Sequence, residues 1–142
     1  MKINYNKILN KNMLSVFIDI LNYIKKNGLE EGHHLYITFD TCKSKVNIPE
    51  WLKIKYPKEM TIVIQYEYWN FNITKNSFHI GLSFNDIKTN LEIPFDSVIS
   101  FADPYANFGL RLIPENIKKK NIIKKKSINK NNIIDFKSYK KN

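Results

Sequence analysis

The side chains able to do chemistry in this chain are a histidine pair, His33-His34, one thiol, Cys42, and thirteen scattered carboxylates. Neighbouring residues on a strand point to opposite faces, so His33 and His34 cannot easily share one metal ion. No Cys-His cluster and no His-x-x-x-His spacing supplies further ligands, and no metal is expected. Cys42 sits in a lysine-rich loop without a clear oriented base, and reads as a bystander rather than a nucleophile. Glu59 with Glu67, or Asp86 with Asp96, could be taken for an acid–base pair, but such spacing is not diagnostic in a chain with this many acids. With four glycines there is no P-loop, no Gly-rich phosphate cradle and no Gly-x-Ser-x-Gly elbow. The expectation is a protein that is not an enzyme and needs no cofactor.

Binding chemistry is better represented. Residues 60–71 read as one long strand, rich in the β-branched and aromatic types that fit a pleated surface. Ile62, Val63 and Ile64 run without a break and imply burial on both faces. The second half alternates, with Tyr66 and Tyr68 on one side and Gln65, Glu67, Trp69 and Phe71 on the other. An apolar root with a tip of amide and ring side chains suits a β core that also presents a groove to a ligand.

The remaining elements must hold that tip in place. Residues 5–27 read as a helix. Leu9, Met13, Phe17, Ile20 and Ile24 recur at spacings of three and four, beside a second stripe of Leu14, Ile18 and Leu21, and Gly28 supplies the stop. That arc is wider than one contact surface needs, so part of it is available to a second copy of the helix. Residues 33–41 read as a strand with Leu35, Ile37 and Phe39 on one face. Residues 49–54 read as a short helix opened by proline. After a turn near Lys75-Asn76, Phe78, Ile80, Leu82 and Phe84 alternate cleanly, and Asn85-Asp86 turns again. Leu91, Ile93 and Phe95 form a short strand that Pro94 places partly at an edge. Residues 98–102 form another, Asp103-Pro104 turns, and Phe108, Leu110 and Leu112 close the body. Short strands at close spacing after one helix predict a mainly β fold, a small twisted barrel or two-sheet body.

The charge is unevenly placed. The chain of 142 residues carries a formal net charge of +10. Residues 1–114 hold thirteen basic and eleven acidic side chains, while residues 115–142 hold ten lysines and two acids. The body is near neutral and the basicity belongs to a tail. Arg111 is the single arginine, which argues against sequence-specific nucleic-acid reading, because bidentate phosphate and base contacts favour arginine. Residues 115–132 are lysine and asparagine with a few isoleucines and no period, the composition of a flexible linker. Residues 133–142 regain apolar and aromatic side chains, the composition of a short linear motif on a tether. One cysteine fits a reducing cytosol, and neither a leader peptide nor a membrane span is expected.

Several blocks reach a known family. His33-His34-Leu35-Tyr36-Ile37-Thr38-Phe39, then Tyr56-Pro57-Lys58-Glu59-Met60-Thr61-Ile62-Val63-Ile64-Gln65 and Tyr68-Trp69, closely resemble the alphaproteobacterial branch of the SspB family. So do Leu82-Ser83-Phe84, Ile93-Pro94-Phe95, Phe101-Ala102-Asp103-Pro104 and Phe108-Gly109-Leu110. The resemblance runs in order through residues 5–114. It is looser in the tail, where Phe136 stands for a leucine, Tyr139 for a phenylalanine, Lys140 for an arginine and Lys137 for an acid.

The resemblance implies an Sm-like β fold and a cytoplasmic homodimer that serves as an adaptor of the ClpXP protease. It implies binding of the ssrA tag, which transfer-messenger RNA adds to stalled nascent chains, and a tail motif that docks on the N-terminal domain of ClpX. Carried onto this chain, the tag-binding residues are Gln65, Tyr66, Tyr68 and Phe84. The docking residues are Ile133, Ile134, Phe136, Tyr139 and Lys140, and the dimer helix uses Leu14, Phe17, Ile18 and Leu21. Residues 1–114 then form the tag-binding and dimerisation domain, 115–132 the linker and 133–142 the docking motif. The alternative from another class is a small Sm-like RNA-binding module with a basic tail, which would show a steep salt dependence.

Overall fold

The computed structural model describes residues 2–112. The linker at 115–132 and the docking residues Ile133, Ile134, Phe136, Tyr139 and Lys140 lie outside the described residues.

Helix α1 (Tyr5–Asn27) starts where the Asn4 side chain accepts a hydrogen bond from the Lys7 N–H at 3.0 Å. It stops at Gly28, whose φ of 79° lies in the region that favours glycine and whose N–H donates to the Ile24 carbonyl. Lys25 and Lys26 in the last turn complement the helix dipole. Met13, Phe17, Leu21 and Ile24 form its buried face.

The strands are β1 (Leu35–Asp40), β2 (Glu59–Ile64), β3 (Trp69–Ile73), β4 (Ser77–Phe84), β5 (Ile87–Pro94), β6 (Val98–Asp103) and β7 (Phe108–Arg111). A short helix, α2 (Glu50–Lys55), follows Pro49 and precedes β2. The strands make two antiparallel sheets, one ordered β2-β1-β6-β7 and the other β3-β4-β5. Among the described residues the sheets do not close into a barrel, so the two-sheet form of the expected body is the one adopted.

The two sheets and α1 share one core. The Phe17 ring lies 4.8 Å from Phe101 of the first sheet, 5.9 Å from Phe78 of the second and 6.4 Å from Phe95 beyond β5. Ile37, Phe39, Ile62, Ile64, Ile80 and Ile93 complete the interior at 0–1 % exposure. Burial of this apolar surface is the dominant favourable term in holding the layers together.

The single strand expected over residues 60–71 is in fact two strands in different sheets. β2 ends at Ile64, residues 65–68 cross between the sheets, and β3 begins at Trp69. Ile62 and Ile64 are buried while Val63 is 36 % exposed, so the apolar run is a one-faced strand and not one buried on both sides. Beyond it, Asn70 adopts φ 52° and the β3–β4 register shifts between Trp69 and Asn72. β3 therefore bends away from the line of β2, and Trp69 is seated on Gly81, where any larger side chain would collide with its indole.

Other boundaries moved less. β5 is longer than expected and Phe95 leaves it for a 3₁₀ turn at Phe95–Ser97. Asn85 and Asp86, at φ 52° and 66°, make the tight two-residue turn that joins β4 to β5, the geometry that matches strand twist in a hairpin. Pro94 ends β5 opposite Ser77, at the margin of the sheet.

Candidate functional site

Among the described residues β2 is the end strand of its sheet. It pairs with β1 along its length, from Leu35 opposite Ile64 to Asp40 opposite Glu59, and its other edge faces away from that ladder. An unpaired edge presents main-chain N–H and C=O groups to whatever lies beside it. Here that neighbour is an open cleft of about 530 Å³ between β2 and the end of β4. Met60, Ile62 and Leu82 are buried side chains at its base, and Val63 and Phe84 give it apolar walls. Tyr56, Thr61, Gln65, Tyr66, Glu67 and Ser83 supply its polar groups.

Each wall has a backing. The Trp51 ring of α2 stands edge-on to Phe84 at 6.5 Å, so the short helix fixes the β4 side of the cleft. Tyr56, at the end of that helix, donates its backbone N–H to the Leu52 carbonyl, and the Lys55 ammonium lies 5.7 Å from its ring. Tyr66 is 73 % exposed, with its ring 6.5 Å from His34, which in turn is stacked on Tyr36. A largely exposed ring beside an open strand edge is a contact surface without a contact.

Of the four residues expected to bind peptide, Gln65, Tyr66 and Phe84 lie together in this cleft. Tyr68 does not line it. Its ring stands at 87° to Phe71 at 5.8 Å and packs against the core. The strict alternation assumed for Tyr66 and Tyr68 fails because residues 65–68 are a crossing and not a strand, so Tyr66 joins Gln65 and Glu67 on the cleft. Tyr56, Glu67 and Ser83 were not expected in the site. Glu67 shared the face assigned to Gln65, which was its sequence signal.

The helix residues divide in two. Phe17 and Leu21 are fully buried in the core of their own chain, while Leu14 and Ile18 are half-buried against it. Tyr5, Ile8, Leu9, Val16 and Tyr23 are the exposed apolar side chains of α1, away from its buried face.

The chemistry-bearing residues go to separate partners. His33 Nδ1 meets the Asp103 carboxylate at 2.6 Å, whereas His34 Nδ1 lies 3.1 Å from the Gly32 carbonyl. Cys42 is exposed, and its thiol donates to the Pro57 carbonyl at 3.1 Å. No cluster of three metal-ligating side chains occurs among the described residues, and no described helix is long and apolar enough to cross a membrane. What the cleft offers is a strand edge, apolar walls and hydrogen-bonding groups that are uncharged except for Glu67, an arrangement suited to holding an extended peptide.

No curated protein matches the chain. A family model described as SspB, stringent starvation protein B, matches residues 8–138 and so takes in most of α1, both sheets and most of the tail. On the strength of that match the chain belongs to the SspB family.

Proposed function

We propose that this protein is a cytoplasmic proteolytic adaptor of the alphaproteobacterial SspB type. In this reading its β body is Sm-like. It binds the ssrA tag on stalled nascent chains in the cleft beside β2 and tethers them to ClpXP through residues 133–142. The observation that carries the reading is the meeting of Gln65, Tyr66 and Phe84 at an unpaired strand edge in a member of this family. The tag adds to β2 as an extended strand, with main-chain hydrogen bonds giving affinity and side-chain pockets giving selectivity.

Residues 1–114 act as the tag-binding and dimerisation domain and 115–132 as the linker. In 133–142, Ile133, Ile134, Phe136, Tyr139 and Lys140 dock on the ClpX N-terminal domain. Tethering makes the encounter of substrate and protease intramolecular, a gain on the order of 10²–10⁴ without any new contact. A homodimer through α1 doubles the number of tails. Phe17 and Leu21 hold that helix on the body, and the exposed flank of Leu9 and Val16 is left for the contact, with the half-buried Leu14 and Ile18 on the other flank.

Fluorescence anisotropy of a labelled tag peptide, with a scrambled peptide as control and salt varied, tests the substrate half. Saturable, salt-tolerant binding of the tag alone is expected. Equal and salt-sensitive binding of both peptides would overturn the reading and favour polyelectrolyte binding by the basic tail.

A further inference from the structure

The lining of the cleft is uncharged except at one point. Glu67 is its one carboxylate, and no lysine or arginine lines it among the described residues. Its side chain is exposed, and among the described residues no hydrogen bond or ion pair engages it. It stands two residues beyond Gln65 and next to the exposed ring of Tyr66. At the other end of the cleft, beside the lining residue Tyr56, Lys55 holds its ammonium over the Tyr56 ring. Tyr56 precedes β2 and Glu67 follows it, so a whole six-residue strand, about 20 Å of extended chain, lies between the two charges. A second lysine, Lys88, stands opposite Ser83 in the β4–β5 ladder and is held over the Trp69 ring, and among the described residues neither lysine pairs with Glu67 where an incoming peptide would meet it.

We propose that Glu67 sets the charge specificity of the cleft: it favours peptides that place a lysine or an amide N–H donor beside it and rejects those that place a carboxylate there. This rests on the reading of the cleft as a peptide site. A bound strand beside β2 excludes water from the Gln65–Glu67 end, so a carboxylate there meets a like charge with less screening than in solvent. A donor in the same place gains a charge-assisted hydrogen bond. The rejection is as much a part of selectivity as the attraction.

The test uses the full chain and labelled tag peptides in which each position is replaced in turn by lysine and by glutamate. One position is expected at which the lysine peptide binds about tenfold tighter than the glutamate peptide, a gap that narrows as salt rises. In Glu67→Gln that gap collapses at the same position alone, and in Glu67→Lys it reverses. Binding of the parent peptide with a flat scan, or a gap that persists unchanged in Glu67→Gln, overturns the role of Glu67 and leaves the peptide site standing. Absence of binding by every peptide overturns both.

Discussion

At the scale of single residues, the cleft separates side chains that hold it from side chains that face a ligand. Gln65 lines the cleft without being part of the core. Its truncation therefore removes a contact and leaves packing alone. Gln65→Ala is expected to weaken tag binding by about tenfold or more, the loss of one or two hydrogen bonds in a partly desolvated site. Its thermal midpoint should stay within a degree or two of the parent. Affinity equal to wild type would remove Gln65 from the site. Gln65 and Phe84 were legible in the sequence because they lie in blocks that resemble the family, and Tyr66 because it adjoins Gln65 on the aromatic tip. Tyr68 was misplaced for a local reason, since alternation is a property of strands and the chain is not in one at that residue. Ser83 reaches β2 from a distant strand and Tyr56 from the turn just before it, and nothing in their local spacing marks either as facing the cleft.

At the scale of elements, α1 shows what periodicity can and cannot tell. Its bounds and its stop at Gly28 were readable from spacing, and so were Met13, Phe17 and Ile24 of its buried face, whereas Leu9 of the same stripe is exposed and Leu21 of the other is buried. Two stripes of apolar residues were readable too, but not which of them the sheets would cover. The answer depends on Phe78, Phe95 and Phe101, which converge on Phe17 from three separate places in the chain. Two substitutions one residue apart should therefore part company. Phe17→Ala is expected to destabilise the fold by about 3–5 kcal/mol in urea denaturation, as for other large-to-small changes in a closed core. Val16→Asp, on the exposed flank, should leave the unfolding transition nearly unchanged and shift the protein toward monomer in sedimentation velocity. A dimer that survives Val16→Asp would take that flank out of the interface. The misreading of residues 60–71 has the same origin. β-propensity continues through the crossing, and propensity carries no information about which sheet comes next.

At the scale of the whole molecule, the proposed division of labour is between a near-neutral body that selects and a basic tail that delivers. Removing residues 133–142 is expected to leave tag affinity unchanged and to abolish the acceleration of ClpXP degradation of a tagged reporter. Equal delivery by the truncated chain would sink the docking role. The two-sheet layout, fixed by long-range pairing, also governs how the chain reaches its folded form. β3, β4 and β5 are joined by short turns, so their contacts are local in sequence, whereas β1 must find β6 and sets Ile37 opposite Phe101. Loop-closure entropy delays the second kind of contact relative to the first. The meander should form early in refolding and the β1–β6 pairing late. The cleft takes one wall from each sheet, so it exists only after both are in place. In stopped-flow refolding, the ability to capture a labelled tag peptide is expected to lag the burial of Trp69 against the meander, and to report the last step of assembly.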